Sequence, residues 1–195
     1  MQRRDFIAGA GALTVLGSRG SAHTTKLPVY NMPEEFLPRQ VRIRNSFAPY
    51  EVHVDPGQFA LYWTLPEGRA IRYSVGIGRP GLYEAGEFYI GAKKEWPSWT
   101  PTPDMIRREP HRYAKFADGM PGGLGNPLGS RALYLFQPGR GDTFLRIHGT
   151  NEPDTIGRRV SNGCARLVND QMIDLYGRVP MDTRVVLHPV ATLPA

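Results

Sequence analysis

The sequence predicts a mainly β domain, a sheet curved into a sandwich- or barrel-like form with one short helix and one long lid-like loop. Three observations predict it. Apolar residues recur in short runs with the period-2 alternation of half-buried strands. Turn residues punctuate those runs, in a chain holding 22 glycines and 18 prolines among 195 residues. A composition of 41% hydrophobic and 22% charged residues supplies one core but not two.

The elements follow in order. From Thr24 to Tyr50 the chain carries Pro28, Pro33, Pro38 and Pro49 and reads as an extended lead-in, with Val41-Arg-Ile43 as an edge strand. Three strands come next, Tyr50 to Asp55, Phe59 to Leu65 and Ala70 to Ile77, joined by turns at Pro56-Gly57 and Glu67-Gly68. This is an antiparallel meander. His53 alternates with Val52 and Val54, which makes it a surface or rim histidine. Gly86 to Gly91 forms another strand, and its glycines permit the bends of a curved sheet. Lys93 to Ser130 is long and irregular; Trp96 and Trp99 argue against disorder, so the loop is expected to wall a groove, with Arg107, Arg108 and His111 as minor carboxylate binders. Arg131 to Phe136 and Phe144 to His148 pair through a turn at Pro138 to Gly141. Asn169-Asp170 is expected to cap a helix from Gln171 to Arg178, stopped before Pro180, and Thr183 to Leu187 closes the sheet.

The chemistry gathers on one pair. Cys164 is the only cysteine, so no intramolecular disulfide forms. His148 stands at the end of an alternating strand broken by Gly149, and Cys164 follows the tight-turn sequence Ser161-Asn-Gly. An imidazole within reach of a thiol can take its proton and later return it to a leaving group, the basis of cysteine acyl transfer. The turn is expected to aim the backbone N–H groups of Gly163 and Cys164 at the developing oxyanion. Asn151 to Thr155 lacks metal-ligand spacing, and neither a metal nor a cofactor is required.

Ile147-His-Gly-Thr150, then Gly157-Arg-Arg-Val160, then Ser161-Asn-Gly-Cys-Ala-Arg-Leu167 resemble the signature of the L,D-transpeptidase catalytic domain, the YkuD family, over roughly residues 49–189. The resemblance implies that Cys164 is the nucleophile and His148 its base, with the Gly149 backbone orienting the imidazole and Ser161 supporting the turn. Arg166 is then a candidate for holding a substrate carboxylate, with Arg159, Trp96 and Trp99 as further substrate contacts. One departure stands out, since the family usually has Ser-His-Gly-Cys and this chain has Asn162 at the second histidine. The implied substrate is the peptide stem of peptidoglycan, attacked at the carbonyl before a terminal D-alanine. The acceptor is an amine of another stem or of an outer-membrane protein. A hydrolase using water and a non-catalytic wall-binding module are the alternatives.

Residues 1–22 read as an export signal. Arg3-Arg4 with Phe6 precedes the apolar run Ala8 to Leu16, and Gly20-Ser-Ala22 offers a cleavage site, which gives a twin-arginine-like leader and a periplasmic location. Removing it takes +2 of the formal net charge of +6. The remaining basicity suits anionic wall material or phospholipid headgroups, and scattered arginines without a nucleic-acid motif argue against nucleic acid. The division is then 1–22 signal, 23–49 lead-in, 50–189 catalytic domain and 190–195 tail. No heptad or apolar stripe suggests an oligomer, so a monomer is expected.

Overall fold

The computed structural model describes Leu27 and residues 30–190. The expected leader, most of the expected lead-in before Tyr30 and the tail after Val190 lie outside the described residues.

Nine strands form one mixed sheet. In chain order they are β1 (Arg39–Arg42), β2 (Val52–Asp55), β3 (Ala60–Leu65), β4 (Arg69–Ser74), β6 (Gly86–Glu95), β7 (Arg131–Gln137), β8 (Gly141–His148), β10 (Ala165–Arg166) and β11 (Arg184–Leu187). Across the sheet the order is β1-β4-β3-β2-β11-β6-β7-β8-β10. A separate pair joins β5 (Ile77–Gly78) in parallel to β9 (Arg159–Ser161). The expected meander is β2-β3-β4, antiparallel throughout. The closing strand β11 runs parallel to β2 and antiparallel to β6, welding the meander to the half of the sheet that carries His148.

Alternation along these strands builds the core. Register sets Val54, Leu61 and Tyr73 in one row and Val52, Trp63 and Ile71 in the next. Val52, Val54, Leu61 and Tyr73 are fully buried. Helix α3 (Asn169–Arg178) turns Met172 and Leu175 into this core, and burying each contributes about 2 kcal/mol. In β6 the register shifts between Ile90 and Ala92. A Cβ on the intervening Gly91 would lie 2.3 Å from the Phe136 ring, so this bend needs glycine.

Four expectations are corrected. The strand from Ala70 ends at Ser74, because Gly76 leaves the meander to exchange both backbone hydrogen bonds with Arg166. The strand from Gly86 runs on to Glu95, carried by antiparallel pairing with β7. His53 is only 5% exposed: β2 lies inside the sheet, and the Phe47 ring covers its polar face, edge-on to His53 at 4.8 Å. The stretch from Lys93 to Ser130 is not irregular throughout. It folds into α1 (Pro103–Arg108), capped by the Thr102 side chain, then α2 (Pro110–Tyr113) and a 3-10 turn at Ala114–Phe116.

Asn169 does not cap α3. It is the first helical residue, and its side chain is spent elsewhere: Oδ1 accepts from the Ser130 N–H at 2.9 Å and Nδ2 donates to the Thr150 carbonyl at 3.1 Å. The buried amide thus ties the approach to β7 to the loop leaving β8. Glycine at 149 makes room for it, since a Cβ there would lie 2.2 Å from Asn169 Oδ1.

Asn169→Ala would leave a buried N–H and a buried carbonyl unpaired, an expected loss on the order of 2–4 kcal/mol in urea unfolding with an unchanged slope. A loss within experimental error would show that the bracket contributes nothing.

Candidate active site

A cavity of about 870 Å³ opens over the end of β8 and the turn before β10. Parallel pairing sets Ala165 opposite Ile147 and Arg166 opposite His148. Side chains two apart on a strand share a face, so Arg146, His148, Cys164 and Arg166 stand together, and all four line the cavity. Cys164 and His148 are diagonal neighbours on adjacent strands.

His148 is 3% exposed. Its Nδ1 donates to the Gly149 carbonyl at 2.5 Å, an assignment that follows because a carbonyl only accepts, and this leaves Nε2 unprotonated as the basic atom. Burial pulls its pKa down to about 3, the Arg166 and Arg146 guanidiniums act in the same direction, and the Gly149 bond opposes them. Burial likewise raises the pKa of the half-buried Cys164, opposed by the Arg146 backbone N–H and the Arg146 and Arg166 cations. The resting pair is a neutral thiol and a neutral imidazole.

The turn before Cys164 closes on Ser161. Its Oγ donates to the Cys164 carbonyl at 2.6 Å and accepts from the Gly163 N–H at 3.2 Å. The Gly163 N–H is therefore engaged by the Ser161 hydroxyl, where the sequence led us to expect it to face an oxyanion. Gly163 has φ +121, and a Cβ there would lie 2.9 Å from the Leu82 carbonyl, so the turn requires glycine.

Asn162 does more than complete the turn. Its Oδ1 accepts from Arg79 at 2.9 Å and Arg108 at 3.1 Å, and its Nδ2 donates to the Tyr113 hydroxyl at 2.9 Å. Arg79 also pairs with Glu109 at 2.5 Å. The turn before Cys164 is thereby fastened to the α1–α2 segment, which walls the cavity. Trp99 stands in that wall, its ring against Tyr113 and Phe116, while Trp96 lies outside it, its N–H bonded to the Ser130 carbonyl.

The predicted arginines divide. Arg166 lines the cavity with Nη1 on Glu152 at 3.0 Å, and its buried Nε has no partner among the described residues. Arg159 is not in the site: it donates to the Pro56 carbonyl and covers the Phe59 ring. The side chain at 159 follows the β5–β9 pair away from the cavity. Of the minor candidates, Arg108 lines the cavity, and Arg107 and His111 do not. Arg146 was missed, although the alternation ending at His148 puts it on the same face. It is clamped bidentately by Asp142 at 2.6 and 2.8 Å and lies over the Tyr134 ring. Among the described residues no cluster of three His, Cys, Asp or Glu could hold a metal, and no helix is long and apolar enough to cross a membrane.

Residues 49–187 match the sequence profile of the YkuD L,D-transpeptidase catalytic domain. The probable L,D-transpeptidase ErfK/SrfK of Escherichia coli is 36% identical over 135 residues, which are 68% of this chain and 42% of that protein, so the chain spans under half of that relative's length. Among solved structures, a Brucella melitensis protein described as a probable carnitine operon oxidoreductase CaiA is 45% identical, with a TM-score of 0.55 over 80% of this chain and 96% of that one. A cysteine-to-serine mutant of the Enterococcus faecium L,D-transpeptidase, 16% identical, shares the fold with a TM-score of 0.51 over 72% of this chain and 50% of that one.

Two outcomes are expected. Because the folded pKa of His148 lies below the unfolded value of about 6.5, the unfolded chain binds more protons between the two. His148 thus contributes stability that is present above about pH 6.5 and is lost as pH falls toward 3. His148→Gln should shallow the pH dependence of urea unfolding in that window, by at most about 1.4 kcal/mol per pH unit. His53 and His188, also lowered by burial, contribute equally to both proteins. An identical slope in the variant would contradict the assignment. Asn162→Ala should speed amide exchange across 103–116 about tenfold while the global unfolding midpoint moves little; unchanged exchange would show that the wall stands without it.

Proposed function

Because this chain belongs to the L,D-transpeptidase catalytic domain family, we propose that it is a cysteine-dependent acyltransferase acting on the peptide stems of peptidoglycan. Support comes from one observation above the others: the only cysteine and a histidine with a bare Nε2 share one face of the β8–β10 pair within a cavity.

The steps follow from the residues. Substrate entry displaces water and brings the scissile carbonyl to Cys164. The thiol proton passes to Nε2 of His148 as the sulfur attacks, and Arg146 and Arg166 favour the negative charge at that moment. The Cys164 N–H faces the oxyanion. The imidazolium, disfavoured by burial and by the same two cations, then readily gives its proton to the departing D-alanine amine. An amine of a second stem, or of an outer-membrane protein, attacks the thioester, passes a proton to His148, and the sulfur leaves as the thiol. No step calls for a cofactor.

Arg108 and Arg166 supply cations on the cavity wall, suited to the carboxylates of a stem peptide. The action belongs outside the cytoplasm, in keeping with the twin-arginine-like leader. The oxidoreductase description of the Brucella protein has no counterpart in these residues; the Cys164/His148 pair favours acyl transfer.

Incubating the full chain with a tetrapeptide muropeptide should release D-alanine and yield a cross-linked dimer by mass spectrometry, and Cys164→Ala should do neither. Released D-alanine with tripeptide alone would make water the acceptor and the protein a hydrolase. A folded wild type that leaves the substrate intact would overturn the enzymatic reading.

A further inference from the structure

The meander has a second concave face, and it shares no lining residue with the Cys164 cavity. Register builds it. Arg39 of β1 stands opposite Arg72 of β4, Arg72 opposite Tyr62 of β3, and Tyr62 opposite His53 of β2, so the four side chains form one row on the face away from Leu61 and Tyr73. Like charges directly opposite each other on a strand pair, with Cβ atoms about 5 Å apart, are destabilising unless something between them carries the opposite charge. Arg42 and Arg44 add two more cations to the lining. Asp55 is the one acid there, and its Oδ1 is taken by the N–H groups of Gly57 and Gln58. Among the described residues none of the four arginines has a carboxylate partner.

The groove is also rigid. Arg72 is held by the Ser74 hydroxyl at 3.1 Å and the Gln58 carbonyl at 3.3 Å, which leaves part of its donor fork open. Gln58 Oε1 accepts from the Tyr62 hydroxyl. At the inner end His53 donates Nε2–H to Glu51 at 3.0 Å, so its Nδ1 accepts from His188 Nε2 at 3.1 Å. The two imidazoles stack with centroids 5.3 Å apart, and Phe47 closes over them.

We propose that this groove, about 430 Å³ in volume, is a second binding site that takes a phosphate group, with Arg39 and Arg72 on its oxygens. Two adjacent forks match two negative charges on a tetrahedral centre, and a phosphate between them converts the cross-strand repulsion into attraction at both arginines. The aromatic floor lets the group arrive on a soluble phosphate ester or on a lipid headgroup. This site is independent of the chemistry at Cys164.

The test titrates the full chain at low salt with inorganic pyrophosphate, and separately with phosphatidylglycerol vesicles, reading the ring signals of His53 and His188 by NMR. Saturable shifts are expected, weakened by about tenfold or more in the Arg39→Gln/Arg72→Gln double variant. That variant should stay folded, since the core face is untouched. A response to pyrophosphate assigns the site to a soluble phosphate ester, and a response to vesicles alone assigns it to a lipid headgroup. Silence toward both, or equal binding by the variant, would overturn the proposal.

Discussion

Two residues of parallel pairing, Ala165 on Ile147 and Arg166 on His148, hold the candidate site together, and a ladder this short cannot stand by itself. It is held from three sides. Gly76 exchanges both backbone hydrogen bonds with Arg166, the Leu167 N–H reaches the His148 carbonyl at 2.9 Å, and Ser161 closes the turn ahead of Cys164. Leu167, fully buried, anchors the chain just past the pair. The rest of the sheet supplies the β8 edge against which this arrangement is built.

The electrostatics of the site follow from that packing. Burial drives both members of the pair toward their neutral forms, and two cations on the same face favour loss of the proton at both atoms: they favour a thiolate and disfavour an imidazolium. In the proposed reaction such a pair starts from a protonated thiol, and a charged His148 gives its proton up readily. Arg146 can sit beside Cys164 because Asp142 and the Tyr134 ring fix its guanidinium from behind.

One sheet therefore serves two faces of different character. At one end a walled cavity surrounds Cys164 and His148, and Asn162 links the turn before Cys164 to the wall through Arg79, Arg108 and Tyr113. At the other end a row of cations and imidazoles lines a groove that uses neither. β11 connects the halves, paired to β2 on one side and β6 on the other.

Much of this was legible in the sequence where the determinant is local. Strand alternation with Gly and Pro turns gave the meander, because side-chain period and turn geometry depend on neighbours along the chain. The His148–Gly149 break and the Ser161-Asn-Gly-Cys164 turn marked the candidate pair for the same reason, and the helix after it was found to within two residues. What the tertiary structure decided involves partners far apart in sequence. Asn169 reads as a helix cap by its position, yet it bonds to Ser130 and Thr150. Arg159 and Arg146 are alike in type, but register sends one to Phe59 and the other to Cys164. His53 alternates like a surface residue and is buried because the distant His188 stacks on it and Phe47, in the loop just before its strand, closes over both. Composition and period specify which face a side chain takes; only the packed sheet specifies what that face meets.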